Sequence, residues 1–329
     1  MKPKEFHIYI YIGKKALYAI ITVFAIISFN FLLFRILPGN PIEVLYRGAQ
    51  LSPSAIDALY KQFGLNQPLW IQYFIYIKNT IIGNLGISYA YQLPVIDVLF
   101  PAIINSLILG IPATILGIYI GIWTGKIAGW KRNTMTDNLF TNISMILWAI
   151  PGYWLATLLI LLIVLTGGVL PVSGMYTPGI NYQSFFYRLI DLLKHLVLPL
   201  IVLTLLNYGQ YTILMRNSLI DVTNEDYIIS AKAKGVPDYL ILNKHAMPNA
   251  RLPIVSMIAI NLGYLVGGLI LTETVFSWPG VGWLIYSSIL SRDYPVLQGA
   301  FLILAISIVI SNFIADMIYL YLDPRIRYG

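Results

Sequence analysis

Six stretches of this chain are apolar for long enough to cross a bilayer, at about 16–37, 101–125, 139–166, 196–215, 253–272 and 296–320. A hydrocarbon core of about 30 Å needs roughly 20 such residues in a helix. Inside it each backbone N–H and C=O must be satisfied within the chain, and a helix does this locally. The expected fold class is an all-α integral membrane protein with six transmembrane helices. Composition agrees: of 329 residues, 58% are hydrophobic and 11% charged, whereas a soluble domain carries about 25% charged residues.

An even number of spans puts both termini on one side. That side collects fourteen of the 21 Lys and Arg residues, among them Lys14, Lys15, Lys131, Arg132, Arg216, Lys232, Lys244 and Arg251. The other side holds Arg35, Arg47, Lys61, Lys78, Arg188, Lys194 and Arg292, although its loops are longer. The positive-inside bias therefore predicts cytoplasmic termini and a multi-pass protein of the cell membrane. Basic residues distributed by loop form no nucleic-acid patch. The chain has no cysteine, and His7, His195 and His245 lie far apart, so no metal site is expected. The first apolar run follows Met1-Lys2-Pro3-Lys4, has full spanning length and is followed by no small-residue cleavage site. It reads as a retained helix rather than a signal peptide.

These spans divide the chain into a cytoplasmic N-terminus with the first helix (1–37), an extracytoplasmic loop (38–99), a five-helix core (100–320) and a cytoplasmic tail (321–329). Within the long outer loop, Ser52 can cap a helix beginning at Pro53, and Gly64 can stop it. A second short helix starts at Pro68 and runs through Trp70, Tyr73 and Ile77. Its covered face lies either on the membrane or against an outside partner. Leu170-Pro171-Val172-Ser173-Gly174 has the composition of a tight turn.

Lipid gives no hydrophobic reward for helix contact, so close backbone approach matters. Gly117, Gly121, Gly125 and Gly129 recur every four residues and line one helix face; Gly263 and Gly267 repeat the spacing in the fifth span. Pro112, Pro151 and Pro199 interrupt spans and predict kinks. Asn105, Asn142, Asn207, Gln210 and Asn261 are polar positions inside spans. They are candidates for a translocation path, with interhelical hydrogen bonding as the alternative.

No catalytic constellation is present: no G-x-x-x-x-G-K-[ST] phosphate loop, no Ser-His-Asp set, no HExxH. Asp316 falls near the cytoplasmic end of the sixth span, where a structural hydrogen bond is expected, and Glu273 at the outer end of the fifth. Neither sits mid-membrane, where an ion-coupled carrier places its carboxylates. A self-sufficient carrier or channel is the rival reading, but the energy source indicated is a partner.

The inner loop 224–250 is where such a partner would push. Asn224 can cap a helix with Glu225 and Asp226 in its first turn. Tyr227, Ala231, Lys232, Ala233 and Lys234 follow, and Gly235 supplies the left-handed stop. Pro237 and Asp238 suit the start of a second helix, which should fade before Pro248. Two capped helices are more than a bare connector needs.

These residues resemble a known family. Ala231, Gly235 and Pro248 fit the E-A-A-x-x-x-G-x(9)-I-x-L-P signature of permease subunits of binding-protein-dependent ABC importers, with Ile229, Ser230, His245 and Met247 departing from it. Agreement is better with the oligopeptide, dipeptide and nickel branch, whose D-Y-x-x-x-A-x-A-K-G and K-H-A-x-x-N-A are matched by Asp226 to Gly235 and by Lys244 to Ala250, including His245 and Asn249. Leu37-Pro38-Gly39-Asn40-Pro41, Gly83-Asn84-Leu85-Gly86-Ile87-Ser88, Leu170 to Gly174, Glu273 to Gly282, Arg292 to Val296 and Leu322 to Tyr328 are similar to other motifs of that branch. The order looks like the first of two paired permeases. The resemblance implies a second permease, an extracytoplasmic solute-binding protein and two cytoplasmic ATPase subunits that bind ATP and Mg. This chain itself would hold no cofactor, and its loop 224–250 would couple it to the ATPases.

Overall fold

The computed structural model describes residues 3–36, 66–265 and 269–322. Segment 37–41, Ser52, Pro53, Gly64, Gly267 and residues 323–328, all singled out above, lie outside them. The described residues fold into helices: α1 Pro3–Ile36, α2 Leu69–Ile81, α3 Val95–Trp130, α4 Met135–Ala149, α5 Gly152–Leu165, α6 Phe185–Thr223, α7 Asp226–Ala233, α8 Asp238–Leu240, a π-helical stretch Ile241–Ala246, α9 Met247–Ala250, α10 Leu252–Tyr264, α11 Ile270–Val275, α12 Val281–Ser291 and α13 Tyr294–Leu322.

Among the described residues four segments are long and apolar enough to span: Ile10–Arg35, Val95–Trp130, Phe185–Thr223 and Tyr294–Ile318. The expected span 139–166 is instead two helices, α4 and α5, bent by 99°. The cause is local. Pro151 offers no N–H and pushes Ile150 out of the helical region, to ψ 129°. The expected span 253–272 is also not one continuous helix: α10 has 13 residues and α11 six. Pro112 and Pro199 do not break their helices, and α3 and α6 run on through them. Neighbouring helices can re-satisfy the carbonyls a membrane proline frees. With 39 residues, α6 is about 58 Å long, more than the roughly 30 Å a lipid core requires.

The glycine stripe sets the main contact. A β-carbon added to Gly117 would lie 2.7 Å from Asn207 Cβ; at Gly121 it would lie 2.5 Å from Tyr211 Cβ, at Gly125 2.7 Å from Met215 Cβ, and at Gly129 3.1 Å from Leu219 Cβ. Each glycine meets the residue 90 positions later, so α3 and α6 run parallel in a fixed register. Thr124 and Thr212 add a hydroxyl pair at 2.9 Å. On its other side α6 presents Gly209 to α4, where an added β-carbon would be 2.9 Å from Trp148 Cβ. Thus α6 is the central post, and the stripe is used within one chain. Gly263 lies in the last turn of α10.

Helix α1 packs on α13. Asn30 Nδ2 donates to Gln298 O at 2.9 Å, and Lys15 pairs with Asp316 at 2.9 Å. Asp316 is therefore an ion-pair partner rather than only a hydrogen-bonding one. The short helix expected at Pro68 is α2. It rests on α1 through Tyr73 and Tyr76, whose hydroxyls meet Ser28 at 2.6 Å and Asn30 at 3.2 Å. Trp70 and Phe74 stay exposed on its other side.

Candidate coupling site

The loop between α6 and α10 is built of two helical arms on an apolar floor. Helix α6 continues through Thr223, so Asn224 caps its C-terminus instead of starting the next helix. Glu225 takes the N-terminal position of α7, and its side chain makes no capping bond. At the other end Gly235 has φ +76°. Its N–H donates to Lys232 O at 2.9 Å, and the Val236 N–H to Ala231 O at 3.2 Å. This paired closure is the reason a glycine is needed there. Pro237 precedes the second arm, one position earlier than expected, and Asp238 opens it.

The second arm does not fade before Pro248. It passes through a π-helical stretch and places Pro248 inside α9. In the π stretch N–H groups reach back five residues, as Met247 does to Leu242 O. The ladder is therefore already out of α register where proline withholds its donor. The expected stop at Pro248 rests on α spacing, which the π stretch replaces.

Beneath the arms, Ile228, Ala231, Ile241, Ala246, Met247 and Ala250 are buried with Tyr211, Met215, Leu219 and Ile254. The loop thus sits directly on the α6 residues that fill the glycine stripe. Above, Glu225, Asp226, Tyr227, Lys232, Ala233, Lys234, Gly235, His245, Pro248 and Asn249 are exposed, as are Ile229 and Tyr239. Of the expected coupling residues, only Ala231 points into the floor. Asn249 Nδ2 donates to the Tyr227 hydroxyl at 2.7 Å, which lies 3.4 Å from His245 O. Lys232 Nζ stands 5.8 Å from the Trp130 ring at the end of α3, and Lys126 of α3 donates to Asn243 Oδ1 at 2.8 Å. Ser218 donates to Ala250 O at 2.9 Å.

One anchor near this end was not read from the sequence. Asp137, 1% exposed, receives Arg216 Nε at 2.5 Å and Nη2 at 2.8 Å, with Asn133 N at 3.0 Å and Thr141 Oγ1 at 3.1 Å. Arg216 counted above only as a loop charge. It ties α4 to α6 by a bidentate pair.

At the opposite end of the helices, motifs far apart in sequence interlock. Glu273, fully buried, accepts from Ser106 Oγ at 2.6 Å, from Gly282 N at 2.6 Å and from Trp283 N at 3.3 Å. The carboxylate thus faces the amino end of α12, where a negative charge is favoured. A β-carbon on Gly280 would collide with it. Ser106 Oγ also accepts from Val281 N at 2.9 Å. Gly174 N donates to Phe276 O at 2.8 Å, joining the 170–174 turn to the 273–282 motif. Asp293, also fully buried, accepts from Ser88 Oγ at 2.5 Å and from the amides of Tyr89 and Ala90 at 3.0 Å each. Burial, reinforced by that carboxylate, pushes the Tyr89 phenol up to about 12.

The candidate path residues do not form one set. Asn105 belongs to the far-end network: its Nδ2 donates to Pro279 O at 2.9 Å, and its backbone oxygen accepts from Trp278 Nε1 at 2.8 Å. Asn261 donates to the Tyr211 hydroxyl at 2.9 Å, linking α10 to α6. Asn207 is half-buried against Gly117, Gln210 is half-buried on the same helix, and Asn142 is exposed on α4. For Asn105 and Asn261, hydrogen bonding between elements is what the geometry supplies. The described residues contain no cluster of metal-ligating side chains.

Residues 117–328 match the model of the binding-protein-dependent transport system inner membrane component, and residues 8–107 match the N-terminal model of the membrane components of such systems. The dipeptide transport system permease protein DppB of Alkalihalophilus pseudofirmus is 35% identical over 312 residues, covering 91% of this chain and 93% of its own. DppB of Escherichia coli K12 is 33% identical over 323 residues, covering 93% and 95%. The oligopeptide transport system permease protein AppB of Bacillus subtilis is 32% identical over 319 residues, covering 97% and 99%. A helical chain with several membrane-length apolar segments, matched almost end to end, is a multi-pass membrane protein of the family of inner membrane components of binding-protein-dependent transport systems.

Proposed function

We propose that this chain is one of two paired permease subunits of an ATP-driven importer of peptides or similar small solutes. It crosses the cell membrane six times with both termini in the cytoplasm. It forms half of the path with a second, similar permease, receives cargo from an extracytoplasmic binding protein, and is driven by two cytoplasmic ATPase subunits that hold ATP and Mg. The observation that carries this reading is the form of loop 224–250. Exposed Tyr227, Ile229, Ala233 and Lys234 lie over a packed floor shared with α6, a surface suited to being pushed. The permease relatives support the cargo class.

A carrier coupled to an ion gradient commonly keeps an exchangeable carboxylate inside the membrane. Among the described residues the buried acids are Asp137, Glu273 and Asp293, and each is held by at least three donors. That favours an external motor.

The test is the complete transporter reconstituted in vesicles, with Gly235→Pro in this chain. Proline cannot adopt φ +76° and lacks the N–H that closes α7. The variant should insert normally and lose uptake coupled to ATP hydrolysis. Normal coupled uptake would refute the role of the loop, and uptake by this chain alone would refute the need for a motor.

A further inference from the structure

We propose that Tyr227 and Asn249 are positioning residues: they lock the two arms of loop 224–250 together, so that a displacement of α7 reaches α6 and α10 as one movement. The inference rests on the coupling role proposed above and names the device that makes the loop stiff.

Helix α7 needs such a device. It has eight residues and buries only Ile228 and Ala231, whereas a helix of fewer than about 12 residues is marginal without tertiary support. Its first turn carries Tyr227, which is 41% exposed. Its hydroxyl reaches across to the other arm at the surface, accepting from Asn249 Nδ2 at 2.7 Å and donating to His245 O at 3.4 Å. The last turn of α7 is held separately, through Lys232 over Trp130. The second arm has its own tie to α3 through Lys126 and Asn243. Both arms thus reach α3 independently, and the Tyr227–Asn249 bond closes the third side of the frame. Without it the arms are joined only through the apolar floor they share, which has no directional bond to fix one arm against the other. The exposed tyrosine then has two tasks, offering contact outward and passing load across through a single oxygen.

The experiment uses the whole transporter in vesicles, with uptake of a labelled peptide and ATP hydrolysis measured together. Variants are Tyr227→Phe, Asn249→Ala, the double variant, and Asn249→Asp, whose carboxylate can accept from the tyrosine hydroxyl. Each single variant should insert, retain its ATPase subunits on purification and hydrolyse ATP. Uptake per ATP should fall about fivefold in Asn249→Ala, the effect of one lost hydrogen bond, and at least as far in Tyr227→Phe, which also loses the longer contact with His245 O. The double variant should fall no further than Tyr227→Phe, because Asn249→Ala removes a bond that Tyr227→Phe already lacks. Asn249→Asp should recover most of the ratio that Asn249→Ala loses. A wild-type ratio in both single variants, or losses that multiply in the double, would overturn the proposal. A single cysteine at the exposed Ala233 in this cysteine-free chain separates the two readings. If it cross-links to an ATPase subunit while the variants couple normally, the latch alone is wrong. If it reaches no ATPase subunit, the coupling role falls and the latch with it.

Discussion

Replacing Gly121 by alanine tests the close approach of α3 and α6 at one of its two tightest rungs. The new methyl would start 2.5 Å from Tyr211 Cβ, with Tyr208 O at 3.0 Å and Thr212 N at 3.2 Å. Carbon atoms settle at about 3.5–4.0 Å, so the helices must part by about 1 Å. The obstructing atoms are backbone or β-carbons, which no rotamer change can move. Overpacking of this kind costs about 1–3 kcal/mol, and separation also loosens the rungs at Gly117 and Gly125. Gly13 on α1 is the control, because nothing lies within 4 Å of a β-carbon there. Gly13→Ala should gain about 1 kcal/mol of helix propensity. The two identical changes therefore carry opposite signs. The assay is thermal unfolding of the purified chain in detergent, followed by tryptophan fluorescence. Gly121→Ala should lower the midpoint and Gly13→Ala should not. The double variant Gly117→Ala/Gly121→Ala should cost less than the sum of the singles, because one separation relieves both. A Gly121→Ala protein at or above the wild-type midpoint would refute the close-contact argument.

Three further outcomes are expected. Asp137→Ala should cost about 1–3 kcal/mol by removing the charge-assisted bonds to Arg216, whose side chain is 22% exposed and keeps Asn217, while Asp137→Ala/Arg216→Met should recover part of the loss, both read as shifts in the same unfolding midpoint. Glu273→Gln puts an amide N–H2 where one carboxylate oxygen now accepts, so it should cost about 1–3 kcal/mol. Limited proteolysis should then cut within 273–282 faster than in the wild type. Gly235→Ala meets no steric neighbour within 4 Å, so its cost should be the left-handed backbone alone, about 1–2 kcal/mol, with Gly235→Asn costing less in the same unfolding assay.

Local rules made the one-dimensional features legible. Apolar length located the long helices, the four-residue glycine interval identified the face of α3 that meets α6, and Gly235 marked the end of α7. Those signals act within a few residues of themselves. The 99° bend at Pro151 was expected only as a kink, because proline fixes what is lost at a position and not where the next helix packs. Pro112 and Pro199 carry the same chemistry and leave their helices continuous, so the neighbours decide. Pro248 was misread for a related reason: the π stretch before it changes the hydrogen-bond register, and no composition marks that change. Asp137 with Arg216 and Glu273 with Ser106 join residues 79 and 167 positions apart. Nothing in the sequence says which distant partner a buried charge will find. Asn105 drew attention as a polar residue in a span, and only its contact with Pro279 and Trp278 reveals it as a fastener.

The constant offset of 90 between α3 and α6 has a mechanical meaning. With Asn207, Tyr211, Met215 and Leu219 each seated on its own glycine, sliding one helix along the other would require all four to climb out together. The pair can tilt or rotate as a single strut, but it cannot telescope. A displacement at the loop end of the pair would therefore be carried along to its far end.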